Sequence, residues 1–448
     1  MTVGPPPVTN KCVRSWLQFA SRWVASLVTA IIFVCALGGL PSVAKAADIT
    51  DVLSGFYGDK TWSGYASLRF EHAQKRSSII REWVCQKGDA LCPQRSAVLD
   101  TKQLDFSEHA SLLHLDIGAG LYRHLELYAS VPFVLGWQSE LNHSAGVSQG
   151  NSLVSTGLTS TLFGVPYESA NRVGIGDMTI GLKWAPVHSS DQLYWPTFLV
   201  GFEYLAPTGK ARSAGSSNVG GGIHAFTLYS VVSQPMGNWI EPYLRVSGTL
   251  RTADPTGPFK HSVVTQTRVS PGHSMGVEMG TELYPLSSTS LGKDFRVDVR
   301  LMADFTTDGR EFTELFDALG TSGCDLSGQC DRTLYTRTRF DENPAKTDGI
   351  TDVEKYGRLG ASIWFHYNAL NYLSVKVGGA YHYKTRHYIT YADAGKDLDG
   401  RGNVEWANSV GQNEFNPYYN RNYDEYGSRF LVESSHDFRL LLTIKGHL

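Results

Sequence analysis

Past residue 46 the chain has no long apolar run, so its body offers no place for a helix that crosses a bilayer. It is also short of charge: Asp, Glu, Lys and Arg make up 19% of it, against roughly 25% in ordinary soluble domains. Neither sign dominates. A formal net charge of -3 gives no basic footprint and argues against a nucleic-acid partner. Cysteine is scarce, six in 448 residues, and none sits in a Cys-x-x-Cys pair, which removes the usual zinc arrangements. Glycine (45) and aromatic side chains (12%) are plentiful instead, a composition that leans away from a soluble surface.

The N-terminus is the one exception to the missing apolar runs. Lys11, Arg14 and Arg22 precede an apolar stretch from Trp23 to Leu40, followed by Pro41 and then Ala44-Lys45-Ala46. A positive region, an apolar region and a small-x-small site, in that order, read as a secretory signal, here 1–46 with expected cleavage after Ala46; the lesser alternative is an uncleaved membrane anchor. An exported chain would keep four cysteines, in two close pairs, Cys85 with Cys92 and Cys324 with Cys330. The spacing reads as two small disulfide loops, although four cysteines permit three connectivities.

With no apolar helix left, any membrane crossing must use alternating strands. Residues 293–305, KDFRVDVRLMADF, show the pattern most clearly: Phe295, Val297, Val299, Leu301, Ala303 and Phe305 share one parity, and Arg296, Asp298, Arg300, Met302 and Asp304 share the other. Successive strand side chains point to opposite faces, so this stretch is greasy on one side and ionic on the other. Scanning for such segments predicts twelve strands, roughly 61–72, 110–122, 124–136, 174–187, 195–208, 222–235, 238–252, 273–285, 294–309, 356–369, 372–391 and 430–446. The gaps between them alternate short and long, the long ones being 73–109, 137–173, 209–221, 253–272, 310–355 and 392–429.

Short turns at one end and large loops at the other are the plan of a transmembrane up-and-down antiparallel β-barrel. The predicted fold class is therefore all-β, an outer-membrane barrel over 61–448, with periplasmic turns and extracellular loops. A bacterial outer-membrane location follows, with lipid around the barrel. The barrel-assembly machinery is expected to receive the last strand. Residues 47–60 read either as a lead-in or as a short periplasmic plug, since Ile49, Val52, Leu53 and Phe56 share a helical face.

Inward parity assigns the candidate solute-path residues: Arg69, Asp116, Glu126, Asp177, Lys183, Glu203, Arg245, Glu278, Arg296, Asp298, Arg300, Arg358, His366 and Lys376. Their signs balance, so no strong ion selectivity is predicted. Two readings stay open. The charges line a restricted hydrated path for a small solute, or they pair across a narrow lumen and plug it.

Residues 173–187, VGIGDMTIGLKWAPV, and 196–212, PTFLVGFEYLAPTGKAR, carry a Gly-x-Gly-Asp start, apolar alternation, a Leu-Lys-aromatic step and a Pro-Thr-Gly end. This pattern resembles outer-membrane transporters of the MetA-pathway of phenol degradation type. The resemblance covers about a tenth of the chain. It implies a barrel for uptake of small aromatic or hydrophobic solutes, with Asp177, Lys183 and Glu203 facing inward.

Two rivals stand beside the transporter reading. One is a surface-interaction barrel whose disulfide-braced loops bind a partner. The other is an outer-membrane hydrolase, for which the His-x-Ser-Asn-Gly signal is missing. Asp397, Asp399 and Glu405 offer hard oxygens, but their spacing misses the twelve-residue calcium loop. No metal or cofactor is implied.

Overall fold

The computed structural model describes residues 47–55, 63–88, 96–155, 162–189, 195–237, 239–253, 269–288, 293–322, 348–370, 372–396, 400, 416 and 418–447. Twelve long strands form one sheet: β1 Gly64–Cys85, β2 Ala97–Tyr122, β3 Leu125–His143, β4 Met178–Val187, β5 Thr197–Ala206, β6 Ile223–Ser233, β7 Ile240–Ala253, β8 Ser274–Ser288, β9 Lys293–Thr306, β10 Tyr356–Leu370, β11 Leu373–Lys384 and β12 Phe430–His447. Each pairs antiparallel with its sequence neighbours, and β1 pairs with β12 from Tyr65↔His447 to Arg81↔Phe430, which closes the barrel. Closure leaves no open sheet edge, as lipid demands.

Burial follows parity. On β9, Val299 and Leu301 are exposed while Arg296 and Asp298 are buried, so the aliphatic set faces out and the ionic set faces in. Leu68, Ile117, Leu228, Leu250, Leu359 and Leu440 extend the exposed apolar belt around the wall. Among the described residues no helix is long and apolar enough to cross a membrane; the strands make the crossing.

All twelve expected strands are present in order, but one expected loop is largely strand and another begins as strand. β1 and β2 run for 22 and 26 residues and pair through Cys85↔Ala97, so most of 73–109 is a long hairpin. Residues 137–143 likewise extend β3. The reason is local. Neither Gly nor Pro occurs in 65–87 or 97–117, and once the apolar face is no longer needed the ladder continues beyond the belt. Conversely, the expected strand 174–187 is broken: Arg172–Ile175 and Met178–Val187 flank Gly176-Asp177. The expected strand 372–391 ends at Lys384, and His387–Tyr388 forms a separate short pairing. Cys85 is disulfide-bonded. Cys92, Cys324 and Cys330, the proposed signal segment 1–46, Phe56, Asp397, Asp399 and Glu405 lie outside the described residues.

Candidate functional site: the barrel lumen

The short-turn mouth, periplasmic in a barrel of this plan, is crossed by residues 47–55. A single turn closes with Thr50 N–H donating to the Ala47 carbonyl at 2.8 Å. Ile49 and Val52 pack on Ala185, Leu199, Tyr229 and Val231, which face inward on three strands. Polar contacts then run round the wall. Asp48 N–H donates to Glu282 at 2.7 Å on β8, and Leu53 N–H to Glu126 at 3.0 Å on β3. Thr50 shares a hydrogen bond of 2.9 Å with Ser233 on β6. The Asp48 carboxylate meets Lys376 at 2.8 Å and His366 at 3.7 Å. These contacts seat residues 47–55 across the mouth.

Further in, the expected lumen residues pair with one another. Arg296 reaches Glu282 at 3.2 Å and Asp294 at 3.1 Å. Arg300 bonds Asp298 through Nε at 2.8 Å and Glu278 at 3.2 Å, while Arg245 lies 3.8 Å from Glu278. Lys183 stands 3.5 Å from Glu126, Arg69 3.4 Å from Asp116, and Arg358 2.7 Å from Asp304. Glu203 accepts from the Tyr128 hydroxyl at 2.5 Å. Buried charges need such partners, because withdrawal from water costs several kcal/mol per ion.

Asp177 departs from its expected place. It sits in the break before β4 and accepts N–H groups from Gly209 at 2.9 Å and Gly221 at 2.7 Å, so it clamps the connection between β5 and β6 rather than lining the barrel. The Gly-Asp and Pro-Thr-Gly signatures thus meet at one turn assembly.

Parity sorting by charge alone missed a set of inward aromatic rings. Tyr65, Tyr128, Tyr229, Tyr243 and Trp364 each lie opposite a glycine on the next strand: Gly118, Gly181, Gly201, Gly280 and Gly378. At Gly201 an added Cβ would come within 2.1 Å of the Tyr229 ring, so the ring occupies the space that a side chain would need. The available signal is an inward-parity glycine across from an inward-parity tyrosine.

The outer end is filled differently. Inward residues Ile79, Leu104 and Phe106 pack with Val154, Leu162, Phe163, Leu315, Leu319, Ile389 and Tyr423 from the loops. The segment after β9 carries a helix, α1 Phe316–Thr321, and its Asp317 pairs with Arg172 at 2.5 Å. Just before it, Glu314 meets Lys75 at 2.6 Å. Burial alone would push the Glu314 carboxyl up; the Lys75 ammonium overrides this and holds it at about 2.

A cavity of about 280 Å³ opens on the lumen side of β1, β2 and β10–β12. Lys75, Lys384, Arg358 and Arg439 line it with Glu108, Asp437, Tyr356 and His382. Arg358 and Arg439 are paired with Asp304 and Asp437, whereas Lys384 stands 4.6 Å over the Tyr356 ring. The chemistry on offer is cationic and aromatic at once.

A closed twelve-stranded wall, apolar outside and ionic inside, defines a transmembrane β-barrel of the outer-membrane class. No family model matches the chain, and no curated protein does. Among solved structures it is similar to the COG4313 outer membrane channel from Pseudomonas putida F1, with a TM-score of 0.44 and 10% identity over 90% of this chain and 100% of that one. A Pseudomonas aeruginosa FadL homologue gives 0.33 and 7% over 86% and 90%, and the outer membrane protease OmpT from Escherichia coli gives 0.29 and 8% over 89% and 100%. Likeness at these levels carries no functional argument.

Proposed function

We propose that the protein is an outer-membrane channel for passive or facilitated uptake of small solutes that join an aromatic or hydrophobic body to a polar group. The observation that carries this is the cavity of about 280 Å³ beside the filled outer end, near the small limit of ligand pockets. Its Tyr356 and His382 rings add aromatic surface, and Lys384, 4.6 Å over the Tyr356 ring, offers a cation. The resemblance of 173–187 and 196–212 to transporters of aromatic-compound degradation adds the aromatic class. Both mouths are occupied, so transport requires displacement of residues 47–55 at one end and of the Glu314 segment at the other. Outer-membrane lipid covers the apolar belt, and the assembly machinery takes up β12 during insertion.

Single-channel conductance of the detergent-folded protein in a planar bilayer tests this. Rare, small steps are expected for the wild type, longer openings for Glu314→Gln, and block by small aromatic acids that weakens in Lys384→Gln. Inserted protein that stays silent with and without Glu314→Gln would overturn the reading.

One observation favours a surface-interaction role: the β1–β2 hairpin continues to Cys85↔Ala97 and carries a disulfide at its tip. Shortening that hairpin would abolish adhesion to a surface partner while leaving conductance intact if this second role holds.

A further inference from the structure

The short-turn mouth holds more negative than positive charge. Among the described residues, Asp48, Glu126, Glu241, Glu282 and Asp294 face four full cations, Lys183, Arg296, Lys376 and Lys445. Arg296 is engaged by Glu282 and Asp294, and Lys376 by Asp48. Glu241 is left. Its side chain is 0% exposed, yet its side-chain donors are neutral hydroxyls, Ser233 at 2.6 Å and Tyr284 at 2.9 Å. A carboxylate so far from water calls for a cation. Its third hydrogen-bond donor is the backbone N–H of Ala47, itself 0% exposed.

Ala47 is also the first residue after the expected cleavage site. We propose that hydrolysis of the bond before Ala47, ahead of barrel closure, creates the missing cation, and that the new α-ammonium of Ala47 pairs with Glu241 to lock the plug into the barrel. A leader endopeptidase adds water across the peptide bond. The acyl carbon takes the water oxygen and leaves as a carboxylate on the released leader, and the nitrogen, which held one proton as an amide, takes up both water protons to become an ammonium at neutral pH. Processing then does two things at once: it frees the chain and supplies the charge that seats residues 47–55. The inference rests on leader removal and not on the transport reading, so conductance has no bearing on it.

Intact mass and N-terminal sequencing of the barrel from outer membranes of a Gram-negative host should show a chain that begins at Ala47. In the folded barrel the α-amine should react with an amine-acylating reagent at pH 8 at least tenfold more slowly than in the urea-unfolded chain. The pH profile of that reaction should be displaced above the ordinary α-amino value of about 8. Glu241→Gln should restore fast labelling and the ordinary profile, whereas Arg386→Gln, far from the mouth, should change neither. A mature chain that starts elsewhere, or an Ala47 amine that reacts equally fast folded and unfolded, would overturn the proposal. The wild-type comparison decides the matter even if Glu241→Gln fails to fold.

Discussion

The two ends of the lumen are filled by opposite means. At the short-turn end, residues 47–55 are tied in by carboxylates, cations and hydroxyls, with a minor apolar contact through Ile49 and Val52. At the outer end the loops enter as an aliphatic and aromatic core, and ion pairs such as Lys75–Glu314 sit at its margin. Ionic contacts can exchange partners when another charge arrives to replace the one displaced; an apolar core has no such exchange to offer. The difference teaches where a solute or a pH change can act: on the margins and the plug, not on the outer core.

The contrast breaks most readily at Arg296. Arg296→Met leaves Glu282 and Asp294 buried without their cation, and a loss of about 3–5 kcal/mol is expected, read as a lower urea midpoint in gel-shift unfolding. At the outer end Leu315→Ala, at a fully buried position, is expected to cost about 2–5 kcal/mol of loop packing. Limited proteolysis should then nick the loops while the barrel itself survives. Equal plug release in both variants would erase the proposed division between the ends.

Acidification sharpens the comparison with a smaller effect. The Glu314 carboxyl is held at about 2, below its ordinary 4.5, so its contribution is complete above 4.5 and is lost as pH falls toward 2. Open probability should rise over that window in the wild type and stay flat in Glu314→Gln. The smallest effect belongs to Arg386 and Asp100, an ion pair exposed on the outside, whose removal by Arg386→Ala should change stability by less than about 1 kcal/mol.

Much of this was legible in the chain. The parity of 293–305 read directly as wall, because a strand has only two faces and each faces a different medium. The inward placement of Arg69, Asp116, Lys183 and Arg300 followed from the same count. Asp177 did not, since a Gly-Asp pair can begin a strand or interrupt one, and the choice depended on N–H groups of Gly209 and Gly221 more than thirty residues away.

By itself, then, the sequence determined a twelve-stranded barrel, its order and the apolar and ionic faces of strands such as 293–305, because period-two alternation is a local property. The tertiary structure alone decided that the inward charges pair instead of lining open water, that β1 and β2 run on past the belt, and that residues 47–55 close one mouth. Those outcomes depend on which charges and backbone groups from distant strands meet across a narrow lumen, and no spacing along the chain encodes that distance.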